Sequence, residues 1–161
     1  MKVWLAILPL FIISATFGQN NANKKPATFK LKDSTAAIGS VCVLRDITLK
    51  YDTEVDTSSF KVMDSIIRFL KRNPKIKIEV SSHLNPTEGQ MCYMSLRALA
   101  VTNYLIKHSI DSVRVIPKED YGEFPIVPAK SIKDMKTDKE RQKALYLNER
   151  FQLTIIGTIK K

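Results

Sequence analysis

Residues 58–83 read SSFKVMDSIIRFLKRNPKIKIEVSSH and hold a helix and a strand with a stop signal between them. Phe60, Met63, Ile66, Ile67 and Leu70 recur at three- and four-residue intervals, the spacing of one helical face. Asp56, Thr57 and Ser58 offer N-cap oxygens ahead of them. Arg68, Lys71 and Arg72 suit the negative end of such a helix. Asn73-Pro74 stops it, because a residue before proline is pushed out of helical geometry. From Ile76 the period falls to two: Ile76, Ile78 and Val80 alternate with Lys75, Lys77, Glu79 and Ser81, as in a strand with one buried face.

On the N-terminal side, Val41–Leu44 with Ile47 and Leu49 form a β-prone segment ending at Tyr51, and the polar run 52–56 breaks it. On the other side, Asn85-Pro86-Thr87-Glu88-Gly89 is a turn-rich loop. Met94, Ala98, Val101 and Leu105 then make a helical stripe with Tyr93, Leu96 and Ala100 beside it and Arg97 on its border, and His108 and Ser109 close it. Val113, Val115 and Ile116 predict a short strand up to Pro117. Two prolines in YGEFPIVP oppose pairing, so 118–136 reads mostly as loop. Thr137 or Asp138 caps a helix through Leu147, and Phe151, Leu153 and Ile155 alternate in a last strand. The order βαβ, αβ, αβ predicts an α/β chain of the α+β two-layer kind, a βαβαβ-αβ sandwich with helices packed on a mixed sheet.

The chain opens MKVWLAILPLFIISATFGQ, a lysine, an apolar run and then small or polar residues, which is the order of a secretory signal over 1–18. The run is shorter than the roughly 20 residues a bilayer core needs. Residues 19–38 are polar with isolated apolar positions and no period, and read as a linker; the domain proper is expected over 39–161, long enough to bury a core. For an exported chain the net charge of +10 argues against nucleic acid as partner. It leaves wall-peptide carboxylates, lipid phosphates or a merely solvated basic surface. No cysteine follows the signal to carry a lipid. Cys42 and Cys92 could pair in an oxidising compartment or serve as small buried residues.

Taken together, these segments resemble the OmpA-like C-terminal domain, a family that associates with peptidoglycan without covalent attachment. The resemblance runs from about Gly39 to Gly157. A strand, a helix ending in Asn-Pro and a second strand lead in the family to Gly-His-Thr-Asp, where this chain keeps His83 but has Ser82, Leu84 and Asn85. Arg97, Ala98, Val101, Tyr104 and Leu105 match the helix that follows, with Gln90 at the family's Asn, and Tyr93 and Met94 at its Leu-Ser pair. The 12 residues from Asn85 to Arg97 make a shortened loop. Tyr121-Gly122-Glu123 with Pro125 is similar to the family's Gly-Tyr-Gly-Glu and the proline after it. Asn148-Glu149-Arg150-Phe151-Gln152 is similar to Asn-Arg-Arg-Val-Glu, with Glu149 at the first Arg.

The resemblance implies a cleft in which a loop carboxylate faces the ammonium, and the helix arginine the carboxylate, of a diaminopimelate residue in the wall peptide. A guanidinium fork suits that carboxylate. Asn85 would accept a hydrogen bond there without the charge, and Glu88 either restores that charge or points to solvent. Arg97 is either the ligand arginine or a surface arginine covering the helix flank with its stem. Arg150 either joins the cleft or pairs with Glu149 or Asp138, and His83 caps or packs the strand end. The expected function is non-catalytic docking on peptidoglycan in the periplasm, with peripheral outer-membrane association through partner proteins. The alternative is a degenerate domain that binds proteins of an envelope assembly. Two distant histidines predict no metal site, and the lack of a nucleophile elbow, a phosphate-cradling glycine loop or a zinc signature predicts no enzyme and no cofactor.

Overall fold

Strand β1, Val41–Leu44, pairs antiparallel with the last strand, and a computed structural model describes the chain over residues 26–85, 91–118 and 125–159. The remaining elements are β2, Leu49–Lys50; β3, Glu54–Val55; α1, Phe60–Arg72; β4, Ile76–His83; α2, Met91–Lys107; β5, Val115–Pro117; α3, Ala129–Lys133; α4, Asp138–Asn148; and β6, Arg150–Thr158. The main sheet runs β1-β6-β4-β5, with β4 antiparallel to β6 and parallel to β5. The parallel pair requires a crossover, and α2 supplies it. The mixed sheet with helices packed on it is the expected α+β architecture.

Register explains which residues make the core. Val80 faces Leu153 and Leu153 faces Cys42; Ser82 faces Phe151 and Phe151 faces Leu44. Paired residues share a sheet face, so these rows, together with Ile78 and Ile155, line the face that α1 and α2 cover. Helix α1 adds Met63, Ile66, Ile67, Phe69 and Leu70, and α2 adds Val101 and Leu105. Phe60, expected on the stripe of α1, is 42% exposed and leans on Tyr104, and Phe69 is fully buried instead.

Three local arrangements depart from the sequence expectation. The first expected strand is broken: β1 ends at Leu44, and Leu49–Lys50 pairs with Glu54–Val55 in a separate hairpin. Asp56 caps a 3-10 turn, Thr57–Ser59, rather than α1 itself. Buried Ser59 bonds the backbone N–H and C=O of Thr48, tying the hairpin to the start of α1. Within the expected linker, Thr28 bridges Val41, Phe29 stacks on Phe69 at 5.2 Å between centroids, and Arg72 donates to Leu31 O at 2.7 Å. Isolated apolar residues in a polar run carry no period, so Phe29 gave no sign of joining a core.

Cys42 is a free thiol in that core, and burial, followed by the nearby Asp33 carboxylate, pushes its pKa up to about 11. It acts as a small apolar residue; the side chain of Cys92 lies outside the described residues. The expected signal, 1–18, also lies outside them, and among the described residues no helix is long and apolar enough to cross a membrane.

Candidate functional site

Among the described residues, the C-terminal end of β4 and the start of β6 place the predicted site residues His83, Asn85, Arg97 and Arg150 on or beside the strand ends, on two faces of the sheet. Helix α2 lies over β4, β5 and β3. Met94, Ala98, Val101 and Leu105 point into the core, so Arg97, one position before Ala98, is carried to the edge of that contact. Its side chain is 18% exposed. Arg97 donates through Nε to Ser82 Oγ at 3.2 Å, its guanidinium carbon lies 5.3 Å from the Phe151 ring centroid, and Nη1 donates to the carboxylate of Asp52. Three of the five donors on the guanidinium fork are left over once these two bonds are counted.

Asp52 was no candidate in the sequence, where it served only to break the first strand. It sits in the turn between β2 and β3, where Thr53 N donates to Lys50 O at 3.1 Å and both central residues, Tyr51 and Asp52, have positive φ, 51° and 58°. Paired left-handed residues mark the tight hairpin turn whose twist suits flanking strands, and aspartate tolerates that conformation better than most residues. The turn is legible as an Asp-bearing strand break; its contact with a helix 45 residues away is not.

Asn85 lies three residues beyond Ser82, so its backbone is within about 10 Å of the residue that Arg97 holds. Its Nδ2 donates to Glu149 Oε1 at 3.2 Å, and its Oδ1 is buried with no hydrogen-bond partner. The carboxylate can only accept, which fixes the amide orientation with the oxygen turned away from Glu149. Glu149 is exposed and forms the C-cap of α4, its N–H donating to Leu145 O. Glu88, Gln90 and Tyr121–Glu123 lie outside the described residues.

His83 and Arg150 are paired across β4 and β6, and by alternation they face away from Ser82, Phe151 and Arg97. His83 is buried and shares a hydrogen bond with Ser81 Oγ at 3.1 Å. Arg150 is buried and donates through Nη1 to Asn148 O at 3.0 Å. The acidic partners proposed for it are engaged elsewhere, Asp138 by Arg141 at 2.7 Å and Glu149 by Asn85. Fully buried Asn148 bonds both backbone groups of Val127 at 2.9 Å, holding the segment that follows the Tyr-Gly-Glu motif against α4. Among the described residues no group of three or more His, Cys, Asp or Glu side chains could hold a metal ion.

A groove of about 770 Å³ lies apart from all of these, between the 29–32 segment, β1 and α1. Phe29, Leu31, Cys42, Leu44 and Val62 contribute apolar lining, and Lys30, Lys32, Lys61, Arg68 and Arg72 contribute cations. It contains none of the predicted site residues. The strand-end neighbourhood holds the candidate chemistry, because Arg97 with its Asp52 partner is bonded to Ser82 on β4 and the partnerless Asn85 Oδ1 lies just beyond the same strand.

No family model matches the chain, and neither does any curated protein. Among solved structures it is similar to the periplasmic domain of Helicobacter pylori MotB, at 16% identity and a TM-score of 0.55 over 73% of this chain and 81% of that one. It is also similar to a putative MotB-like protein from Desulfovibrio vulgaris, at 13% identity and a TM-score of 0.54 over 73% and 76% of the two chains. The OmpA-like domain of FopA1 from Francisella tularensis aligns more loosely, at 15% identity and a TM-score of 0.42 over 84% and 92%. The two MotB superpositions establish a shared fold, the mixed sheet with helices packed on it that the sequence led us to expect.

Proposed function

We propose that the chain is a non-catalytic, periplasmic cell-envelope protein that docks on the peptide of peptidoglycan through the end of β4 and the adjoining edge of α2. The observation that carries this reading is the placement of Arg97. It is held part-buried at the strand end by Ser82 and the Phe151 ring, with guanidinium donors left for a carboxylate. A pre-set arginine fork loses little freedom on meeting a carboxylate, and partial burial strengthens the contact relative to open water. The fold shared with MotB periplasmic domains and the signal-like N-terminus support the location.

Sedimenting the purified mature protein with isolated sacculi tests the reading. The protein should co-sediment, and Arg97→Ala should reduce binding by about tenfold, the weight of a charge-assisted contact. Failure to sediment, or equal binding by the variant, would sink the mechanism.

A second reading, a degenerate domain that binds envelope proteins, is favoured by one observation: Asp52 already occupies part of Arg97. Recovery of the same protein partners from envelopes digested free of wall, without sacculus binding, would select it.

A further inference from the structure

We infer that the groove beside α1 is a docking site for an extended acidic segment of a partner protein, which pairs with the open edge of β1; this surface is separate from Arg97 and rests on neither reading of it. Strand β1 lies at the edge of the main sheet. Ile155 N donates to Ser40 O across to β6, whereas Val41 faces the other way: its N–H donates to Ala27 O at 2.8 Å and its C=O accepts from Phe29 N at 3.0 Å. Backbone direction alternates along a strand, so Val43 presents its N–H and C=O outward as Val41 does. The 27–29 segment does not follow it that far. Residues 30–33 close a turn in which Asp33 N donates to Lys30 O at 2.9 Å and Asp33 Oδ2 accepts from Lys30 N at 2.7 Å. Among the described residues no partner outside the sheet reaches the backbone of Val43, which lines the groove. An exposed strand edge is a template for another strand.

The side chains around this edge select the chemistry of the partner. The groove measures about 770 Å³, the size of a site for a whole ligand rather than a lone ion. Its floor is apolar, with Leu31, Leu44 and Val62 partly buried against the core. Lys30, Lys32, Lys61, Arg68 and Arg72 surround it, against one lining carboxylate, Asp46, and the nearby Asp33 that the turn engages. Among the described residues none of the five cations forms an ion pair. Arg72 donates to Leu31 O and Arg68 to Ser65 Oγ, both neutral acceptors. Positive charge unanswered within the chain, over an apolar floor and beside an open strand edge, suits a partner strand in which apolar and acidic residues alternate. A lipid headgroup would use the cations but leave the edge unpaired.

The test is fluorescence polarisation of a labelled, alternating Val-Glu octapeptide with the mature full chain. The peptide should bind saturably, and an alternating Val-Lys peptide should not. Lys61→Glu with Arg68→Glu, both exposed on α1, should weaken binding by roughly tenfold, the effect of reversing two solvent-facing charges. Val43→Pro should weaken it by roughly three- to tenfold, because it deletes the outward N–H without removing a bond to β6, and an edge strand tolerates proline. Thermal unfolding shows whether each variant keeps the fold. The peptide itself supplies a second probe of pairing that leaves the protein unaltered: it is N-methylated at its valines in one version and at its glutamates in another. One of the two should lose binding, since strand pairing uses every second residue. No binding of the Val-Glu peptide, or equal binding of the Val-Lys peptide, overturns the inference. Binding untouched by N-methylation of either kind overturns it as well. Binding to phosphatidylglycerol vesicles that depends on Lys61 and Arg68, without peptide binding, would make the groove a headgroup site instead and overturn it too.

Discussion

Asp52 competes with any incoming carboxylate for Arg97. Its carboxylate is about one-third exposed and meets Nη1 directly, so part of the guanidinium's charge is already answered within the chain. Replacing Asp52 with Asn should therefore tighten sacculus binding, by roughly three- to tenfold, because an amide competes less well for the fork. The cost to stability should stay near 1 kcal/mol or less, as for other part-exposed ion pairs. Sedimentation at graded sacculus concentrations reads the first effect and thermal unfolding the second, and unchanged binding would mean that Arg97 does not meet the ligand. Arg97 stood out in the sequence through the motif resemblance, since its position on the border of an apolar stripe alone suits a surface arginine covering the helix flank. Asp52 did not, because an ion pair between residues 45 apart leaves no mark on local composition. Glu149 was visible only as a departure from a motif, and its bond to Asn85 spans 64 residues.

The β4–α2–β5 crossover depends on a buried arginine that no motif announced. Arg114, 7% exposed, donates to Ile76 O at 3.0 Å, Leu70 O at 2.9 Å and Asn73 O at 2.7 Å, closing the C-terminus of α1 and the start of β4. Helix ends leave carbonyls without partners, and a cation suits that end of the helix dipole. Arg114→Ala should destabilise the domain by about 2–4 kcal/mol, since it breaks three hydrogen bonds to carbonyls and empties a packed site. Arg114→Lys should recover only part of this, because one ammonium cannot copy the planar fork. Denaturant unfolding measures both, and a loss under about 0.5 kcal/mol for the alanine variant would remove Arg114 from this role. Helix α1, strand β4 and the capping box of α4, in which Thr137 and Glu140 bond each other's backbone, were all readable from local pattern. The break in the first strand was not: the hairpin is fixed by Ser59 reaching back to Thr48, a contact that becomes possible only once α1 is in place.

For the molecule as a whole, the charge of +10 should add adsorption to anionic surfaces that has no need of a specific site. Raising salt from about 0.1 to 1 M shortens the screening length from about 10 to 3 Å. The adsorption shared by wild type and Arg97→Ala should then fall steeply, while the difference between them persists, because Arg97 acts at contact distance from a part-buried position. A difference that vanishes with salt would assign all the binding to the basic surface, including the cations around the groove beside α1. The periods of three to four and of two, the helix stops and the order of elements were enough to specify a two-layer domain, because such signals reside in neighbours along the chain. Folding alone could bring Phe29 onto Phe69, set Asp52 against Arg97, place His83 and Arg150 on the opposite face, and join Asn85 to Glu149. Each of these contacts joins segments far apart along the chain, and its partners are chosen by sheet register and helix docking rather than by anything adjacent in sequence.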